Sequence, residues 1–473
     1  MAKLIGLDVG TSSICALLLD TARPREAVAC SVENDCWLNS GDDRIREQDP
    51  AGIWRRAQDA LNALAARAGR GPLRADGLAV TGQMHGVLLT DGDGTPVSPL
   101  ITWQDLRAED VSPRGRPYLE EFRDAFAPEQ ARSLGMRPAA GYMGPTLYAM
   151  QGEGQLPEAA RCAWFIYDWV AAEMAGASPF TTPQTAQSSG MYSALERRWQ
   201  TEVAGRLGMD CRLLPPATAV AAKVGTVVGE VPVRKGTPVF AAPGDNQASF
   251  LGSVRDAADS ILINVGTGAQ ISVAVSDFIS MEGADTRLLW EDGYLLVGAS
   301  LCGGRAFSLL ADFIAHIGQV FCGSRPNREE LYSMMVESAV EETALRCRTT
   351  LAGTRAEPEL RGLIAGLSEG NFTIEDLIRA TADGIIEELK RFYDAMAAGV
   401  PGGLARSRLV GSGNGLRRNR LLRQSAERAF GMHLRIPLIV EEAALGAALT
   451  AAIGAGVYAS PAEAAAAVSY VET

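Results

Sequence analysis

Several patterns that mark common functional classes are missing from this chain of 473 residues. Only three histidines are present and no Cys-x-x-Cys pair occurs, which argues against histidine-based metal clusters and zinc sites. Asp and Glu (56) outnumber Lys and Arg (44), and the net charge of −12 argues against nucleic acid as a partner. No apolar run reaches membrane-spanning length, so no membrane partner is expected either.

Other absences bear on nucleotide binding and on location. The chain contains no Gly-Lys-Ser phosphate loop, and the glycines at 411–415 lack the spacing of a dinucleotide fingerprint. Eight scattered cysteines indicate reduced thiols rather than a disulfide framework. The sequence runs from Met1 directly into an apolar strand pattern without a signal peptide, which predicts a cytoplasmic protein.

The length of the chain predicts two large domains, because one ordinary hydrophobic core does not serve 473 residues. A hydrophobic share of 47% and a charged share of 21% are ordinary for a globular protein. The 50 glycines exceed the average share and indicate many tight turns or close backbone approaches to ligands.

A strand–turn–strand pattern occurs twice, more than half the chain apart. The first copy predicts strands at 4–9 and 14–19 around Gly10-Thr11-Ser12, and the second predicts strands at 260–265 and 270–275 around Gly266-Thr267-Gly268. Backbone N–H groups and hydroxyls converge in such turns, which suits a phosphate, and Asp8 could hold magnesium through water. One such turn alone could be a simple glycine turn, but the repeat favours two homologous domains with facing phosphate loops.

Two polar clusters follow predicted strands in the first half. Gln83-Met84-His85 lies between glycines at the end of a strand predicted at 77–81, where α/β folds place ligand contacts. Trp103-Gln104-Asp105 combines an aromatic plane with an amide and a carboxylate, which suits a polyhydroxylated ligand. For the first cluster, the alternative is that His85 only caps the strand. For the second, the alternative is that residues 100–107 form an amphipathic edge strand leading into the N-terminus of a helix.

Asp245 stands where an apolar strand predicted at 237–242 is broken by Pro243-Gly244 and a helix begins. Its place near a helix N-terminus predicts a low pKa. Further along, a strand predicted at 407–410 runs into a glycine-rich loop at 411–415, which permits close approach of a nucleotide, with Asn414 and Asn419 available for hydrogen bonds.

Taken together, these motifs resemble those of the FGGY carbohydrate kinases, which are members of the actin-like ATPase superfamily. The similarity spans essentially the whole chain. Its carriers are Gly6-Leu7-Asp8-Val9-Gly10-Thr11-Ser12, Glu47-Gln48-Asp49-Pro50, Gly82-Gln83-Met84-His85-Gly86, Gly244-Asp245-Asn246-Gln247, Val265-Gly266-Thr267 and Gly411-Ser412-Gly413.

The resemblance implies an α/β fold of two actin-like (ribonuclease H-like) domains, each a mixed β-sheet flanked by helices, with a catalytic cleft between them. The implied domains are 1–252, with the sugar site, the first phosphate loop and the catalytic base, and 253–473, with the second phosphate loop and the adenosine site. The implied reaction uses ATP and Mg²⁺, with Asp245 as base and Asp8 orienting the hydrated metal. The sugar is assigned to Gln83, Met84, His85, Trp103, Gln104, Asp105, Asp245 and Asn246, and the nucleotide to Gly10, Thr11, Ser12, Gly266, Thr267, Gly411, Ser412, Gly413, Asn414 and Asn419.

Within the family, Trp103-Gln104-Asp105 and the stretch 299–304 are similar to sedoheptulokinases, although Cys302 replaces an asparagine of their pattern. The expected activity is phosphorylation of sedoheptulose at a terminal primary hydroxyl, with xylulose or another pentulose or polyol as the alternative. An actin-like conformational ATPase is the alternative from another class, and it accounts for the repeat but not for the two polar clusters. The expected partner is a small-molecule sugar, and the expected assembly a monomer or homodimer.

Overall fold

The computed structural model describes residues 1–69, 71–290, 293–354, 357 and 359–471. The first half of the chain alternates strands and helices and ends with a helix that begins at Asp245. Its elements are β1 (Lys3–Val9), β2 (Ser13–Asp20), β3 (Val28–Glu33), β4 (Glu47–Gln48), α1 (Pro50–Ala68), β5 (Gly77–Gly82), β6 (Leu88–Thr90), β7 (Leu100–Ile101), α2 (Tyr118–Asp124), α3 (Pro128–Ser133), α4 (Met143–Gly152), β8 (Cys162–Trp164), α5 (Ile166–Ala175), α6 (Pro183–Gln187), β9 (Tyr192–Ser193), β10 (Arg198–Trp199), α7 (Thr201–Arg206), β11 (Lys223–Thr226), β12 (Pro238–Ala241) and α8 (Asp245–Ser253).

The second half begins with the repeated hairpin and contains the longest helix. Its elements are β13 (Ser260–Val265), β14 (Ala269–Val275), β15 (Asp285–Leu288), β16 (Tyr294–Ser300), α9 (Gly304–Cys322), α10 (Arg328–Ser338), β17 (Arg346–Arg348), β18 (Leu363–Ala365), α11 (Ile374–Gly399), β19 (Arg408–Ser412), α12 (Gly413–Arg418), α13 (Arg420–Phe430), β20 (Leu434–Arg435), α14 (Glu442–Gly454) and α15 (Pro461–Ala465).

Two six-stranded mixed sheets form the centres of the two halves. Their orders are β11-β12-β5-β1-β2-β3 and β15-β16-β14-β13-β19-β20. In each sheet the hairpin (β1–β2 or β13–β14) is antiparallel, and its first strand pairs in parallel with a later strand, β5 or β19. The series β3-β2-β1-β5-β12 therefore has the same topology as β16-β14-β13-β19-β20. The predicted repeat and the two-domain actin-like fold are confirmed.

Helix boundaries follow local capping chemistry. Asp49 caps α1, because its carboxylate accepts the N–H groups of Ala51 and Gly52, and Pro50 occupies the first helical position. Thr373 caps α11, because its side chain accepts the N–H of Asp376, and that helix ends at Gly399. No helix in the described part of the chain is both long and apolar enough to cross a membrane.

The glycine-rich stretch at 411–415 differs from the predicted loop. Strand β19 continues to Ser412, and Gly413 begins the short helix α12 with a left-handed φ of 83°. A Cβ at Gly413 or Gly415 would lie 2.7 Å from the carbonyl oxygen of Val265. The glycines thus bring α12 against the end of β13, because no side chain fits between the two backbones.

Helix α14 comes from the second half but packs on the first sheet. Its alanines and leucines lie in one buried cluster with side chains of β1, β2 and β12. It also crosses α8 at backbone contact, since a Cβ at Gly446 would lie 1.8 Å from the carbonyl oxygen of Ala248. The two halves are therefore joined through the pair α8–α14. The domain division after residue 252 stays a prediction.

Candidate active site

Asp8 lies near the end of β1, directly before the first hairpin turn. Its Oδ1 is buried and has no hydrogen-bond partner among the described residues. Burial, together with the negative charges of Asp245 and Glu441, raises the pKa of Asp8 to about 8. An acidic group with an unused oxygen and acidic neighbours suits a hydrated cation such as Mg²⁺. No group of three or more His, Cys, Asp or Glu suited to direct metal ligation occurs in the described part of the chain.

The second hairpin turn lies against the start of α9. The N–H of Gly304 donates to Gly266 O at 2.9 Å, and the N–H of Arg305 donates to Thr267 O at 3.0 Å. A Cβ at Gly303 would lie 2.4 Å from the carbonyl of Gly268, so glycine is required for this contact. Thr267 remains exposed, as Ser12 does in the first turn, which leaves both hydroxyls available to phosphate.

The predicted adenosine residues divide into exposed and enclosed ones. Asn414 is exposed on α12, whereas Ser412 is buried and its Oγ accepts a hydrogen bond from Asn264 Nδ2 at 2.8 Å. Asn419 is buried, and its Oδ1 caps α13 by accepting from the N–H groups of Leu421 and Leu422. The side-chain oxygen of Asn419 is thus used within the protein.

Asp245 is the first residue of α8 and lies at the end of a strand held by the first sheet. Thr81 Oγ1 donates to Pro243 O at 2.7 Å, which ties the break before Asp245 to the end of β5. Gly244 packs on Met84, because a Cβ there would lie 2.4 Å from Met84 Cγ. The neighbouring Asn246 has a buried Oδ1 without a partner among the described residues. Asp245 thus stands beside an unused acceptor, at the boundary of the two halves.

The predicted low pKa of Asp245 is wrong. Burial raises the pKa of this carboxyl from its ordinary value of 3.8 to about 6, although the positive charge of Arg287 and the N–H of Asn246 oppose the rise. The sequence argument considered only the helix N-terminus, whose effect is small compared with the loss of water around the charge. A carboxyl that titrates near neutral pH is better matched to general-base chemistry than one with a low pKa.

A chain of hydrogen bonds joins the first phosphate turn to the two sugar-site motifs. Trp103 Nε1 donates to Thr11 Oγ1 at 3.0 Å, and Thr11 Oγ1 donates to Gln83 Oε1 at 3.1 Å. Gln83 Nε2 donates to Gln48 Oε1 at 2.9 Å, and Gln48 Nε2 returns to Thr11 O at 2.9 Å. The predicted residues Thr11, Gln83 and Trp103 are therefore brought together. The fully buried Gln48 completes the ring.

His85 is held in a specific orientation at the same strand end. Its φ of 77° is left-handed, and its ring stacks on Tyr142 with a centroid distance of 4.0 Å. Nδ1 lies 2.9 Å from the carbonyl oxygen of Ser188, so Nδ1 carries a proton, because a carbonyl can only accept. Backbone strain at a polar ring is typical of a residue positioned for a ligand.

Asp105 points into the protein. It has no exposed surface, and its carboxylate accepts from the Arg107 guanidinium and from the N–H of Arg46. Arg107 also pairs with Glu47 at 2.5 Å. Asp105 is thus part of a buried ion-pair network, whereas Trp103 is 43% exposed and Gln104 is half-buried. A direct contact between Asp105 and the sugar stays a prediction.

The sequence reasoning missed several residues of this region. Gln48 belongs to a quoted motif but had no role assigned, and Glu441 faces Asp8 from just before α14. Arg287 on β15 acts electrostatically on Asp245, and no local sequence signal marks it. Cys302 is buried in the second core, where its N–H donates to Ser300 Oγ at 3.3 Å.

Comparison with known proteins decides the family. The model described as "FGGY family of carbohydrate kinases, N-terminal domain" matches residues 3–252, and the corresponding C-terminal domain model matches residues 264–455. The chain belongs to the FGGY family of carbohydrate kinases. The two matched ranges contain the glycine turns, the two polar clusters and Asp245.

Individual relatives cover nearly the whole chain. The chain is 29% identical to sedoheptulokinase of Homo sapiens over 94% of its length and 96% of that protein. It is 28% identical to xylulose kinase of Streptomyces rubiginosus over 95% of its length and 87% of that protein. The crystal structure of xylulose kinase from Rhodospirillum rubrum matches the fold with a TM-score of 0.85 at 23% identity, covering 99% of this chain and 93% of that one.

Proposed function

We propose that this FGGY kinase transfers the γ-phosphoryl group of ATP, with Mg²⁺, to a terminal primary hydroxyl of a ketose, and that sedoheptulose is its preferred acceptor. The observation that carries the proposal is Asp245, a carboxyl of pKa about 6 at the start of α8, with the unused acceptor of Asn246 beside it. The relatives support the reaction class, and the Trp-Gln-Asp motif at 103–105 supports the choice of sugar.

In this mechanism Asp245 accepts the proton of the acceptor hydroxyl as the new O–P bond forms and the bond to the ADP oxygen breaks. The transition state of phosphoryl transfer is loose, so positioning and electrostatics contribute more than basicity. Mg²⁺, when bound, would neutralise phosphate charge. Asp8 would orient its water shell, and the turns at 10–12 and 266–268 would hold the phosphates through N–H groups and hydroxyls.

The sugar is bound between the two polar clusters of the first half. Trp103 offers an exposed ring face for C–H groups, while Gln83, Gln104 and Asn246 supply polar groups for hydroxyls. Because Thr11 is bonded to both Trp103 and Gln83, a sugar on these side chains also fixes the phosphate turn. Enclosure of the cleft excludes water, which otherwise competes with the sugar hydroxyl.

The test is sugar-dependent ADP formation over a panel of sedoheptulose, xylulose, ribulose, fructose and glycerol. We expect the highest kcat/KM with sedoheptulose and a 7-phosphate product. Equal use of xylulose, favoured by the 28% identical Streptomyces relative, would remove the sedoheptulose assignment and keep the kinase. ATP turnover that no sugar stimulates would instead identify a conformational ATPase.

The role of Asp245 is tested by Asp245→Asn, which keeps size and removes the base. We expect kcat to fall by about 10²- to 10⁴-fold, the usual contribution of a general base, with ATP affinity retained. Asp49→Asn is the matched control, because it makes the same change at the N-terminus of α1, where Asn caps as well as Asp. Wild-type kcat in Asp245→Asn would refute the assignment.

A further inference from the structure

The edge strand β15 is held on both sides of Arg287 by side chains from the first half. Gln187 of α6 donates through Nε2 to Thr286 O at 2.7 Å and accepts from the N–H of Leu288 at 2.7 Å. Gln247 of α8 donates to Leu288 O at 2.9 Å. Gln247 lies two residues after Asp245, so the backbone at Arg287 is fixed relative to the candidate base.

The guanidinium of Arg287 is buried and incompletely paired. The residue is 4% exposed, its Nη2 donates to Asp285 Oδ2 at 2.9 Å, and its buried Nε has no partner among the described residues. The equally buried Arg379 differs, because its Nε, Nη1 and Nη2 bond to Asp383, Gln424 and Ser425. A buried charged donor left without a hydrogen-bond partner is destabilising, so its retention calls for a functional reason.

Within the described residues, Arg287 carries the positive charge that acts on Asp245. Other titratable groups that face Asp245 are Asp8 from β1 and the buried Tyr167 from α5, which bring no positive charge. The ion pair of Arg287 is with Asp285, so it acts on Asp245 through space. Because the surroundings exclude water, the charge of Arg287 is weakly screened and opposes the effect of burial on the pKa of Asp245.

We propose that Arg287 is a positioning residue for phosphoryl transfer. It reaches Asp245 from the second half of the chain and keeps that carboxylate negatively charged and directed at the acceptor hydroxyl. This inference rests on the proposed function. Without the cation, the pKa of Asp245 is higher, so a larger fraction of the carboxyl is protonated near neutral pH and cannot take the hydroxyl proton. The charged form of the base is therefore favoured while β15 stays joined to α6 and α8.

The test compares the pH dependence of kcat/KM in the wild type and in Arg287→Met from about pH 5 to about pH 9. The acid limb is the low-pH part of this profile, along which kcat/KM falls. We expect its midpoint to move upward by about one pH unit or more in Arg287→Met, so that kcat/KM at pH values below the midpoint is about tenfold lower than in the wild type. Activity recovers at high pH, where Asp245 ionises without help. A uniform loss at every pH with an unmoved limb would show a structural role only and overturn the proposal.

Two further variants keep the test decisive. Asp285→Asn removes the partner that offsets the guanidinium charge, so the limb is expected to move to lower pH, and an unmoved limb counts against the proposal even if Arg287→Met does not fold. Arg379→Met is the matched control, since it removes an equally buried arginine from α11 and is expected to lower the Tm without moving the limb. If the wild type forms no ADP with any sugar, the proposed function fails; if it is active and the limb stays unmoved, only this inference fails.

Discussion

The crossing of α8 and α14 gives a prediction whose size follows from the coordinates. A Cβ at Gly446 would lie 1.8 Å from the carbonyl oxygen of Ala248, where ordinary contacts are at least 3.4 Å. Gly446→Ala therefore forces the two helices apart by more than 1 Å, because the obstacle is backbone rather than a flexible side chain. Overpacking of this kind costs about 1–3 kcal/mol or more, and a Tm shift of about 2–4 °C accompanies each kcal/mol in a domain of about 150–250 residues.

The same displacement reaches the active site. Ala248 lies three residues after Asp245, so the first turn of α8 moves with the crossing. A misplacement of about 1 Å at a reacting group costs about 10²-fold in rate. We expect Gly446→Ala to lower the Tm and to reduce kcat/KM for the sugar by about that factor, measured by thermal unfolding and by ADP release.

Gly205→Ala is the matched control for this prediction. Gly205 lies in α7 with nothing within 4 Å of an added Cβ, so the same substitution is expected to be neutral or to stabilise by about 0.5–1 kcal/mol. Wild-type Tm and activity in Gly446→Ala would refute the argument that the crossing is tight. A lowered Tm with full activity would refute the link from the crossing to Asp245.

The remaining predictions concern the acidic groups of the cleft. Since Asp245 must be ionised to act and its pKa is about 6, wild-type kcat/KM is expected to fall below about pH 6, and a flat profile down to the ordinary aspartate pKa would contradict a buried base. The raised pKa also means that the folded state binds this proton more tightly than the unfolded chain, so the stability contributed by Asp245 declines as pH rises from 3.8 to about 6 and is constant above. Because the pKa of Asp8 is about 8, Mg²⁺ must displace a proton there, so the Mg²⁺ concentration required in ADP-release assays is expected to fall as pH rises toward 8. Asp8→Asn is expected to raise the required Mg²⁺ concentration and to remove its pH dependence. An unchanged magnesium titration in this variant would count against the role of Asp8.

The local elements of this fold were predictable because their signals are local. The hairpins around 10–12 and 266–268, the caps Asp49 and Thr373, and the helix start at Asp245 each depend on residues within a few positions. The repeat added long-range information, since two equal hairpins imply two equal sheets. The sheet orders confirm that implication.

The remaining features depend on contacts that no short stretch of sequence contains. Arg287 is positioned by Gln187, about a hundred residues earlier in the chain, and nothing in the residues around it indicates a role. Asp105 and Asn419 have side chains suited to ligands, but their oxygens are used by Arg107 and by the start of α13. Whether a polar side chain faces the cleft or the interior is settled by tertiary packing, which residue type alone does not determine.

The pKa of Asp245 shows how the two kinds of information conflict. The helix N-terminus is visible in the sequence and lowers the pKa, whereas burial is a property of the assembled halves and raises it more. The outcome, near 6, already includes the opposing positive charge of Arg287 on β15. The ionisation of Asp245 therefore depends on a residue from each half of the chain, which no short stretch of sequence could have shown.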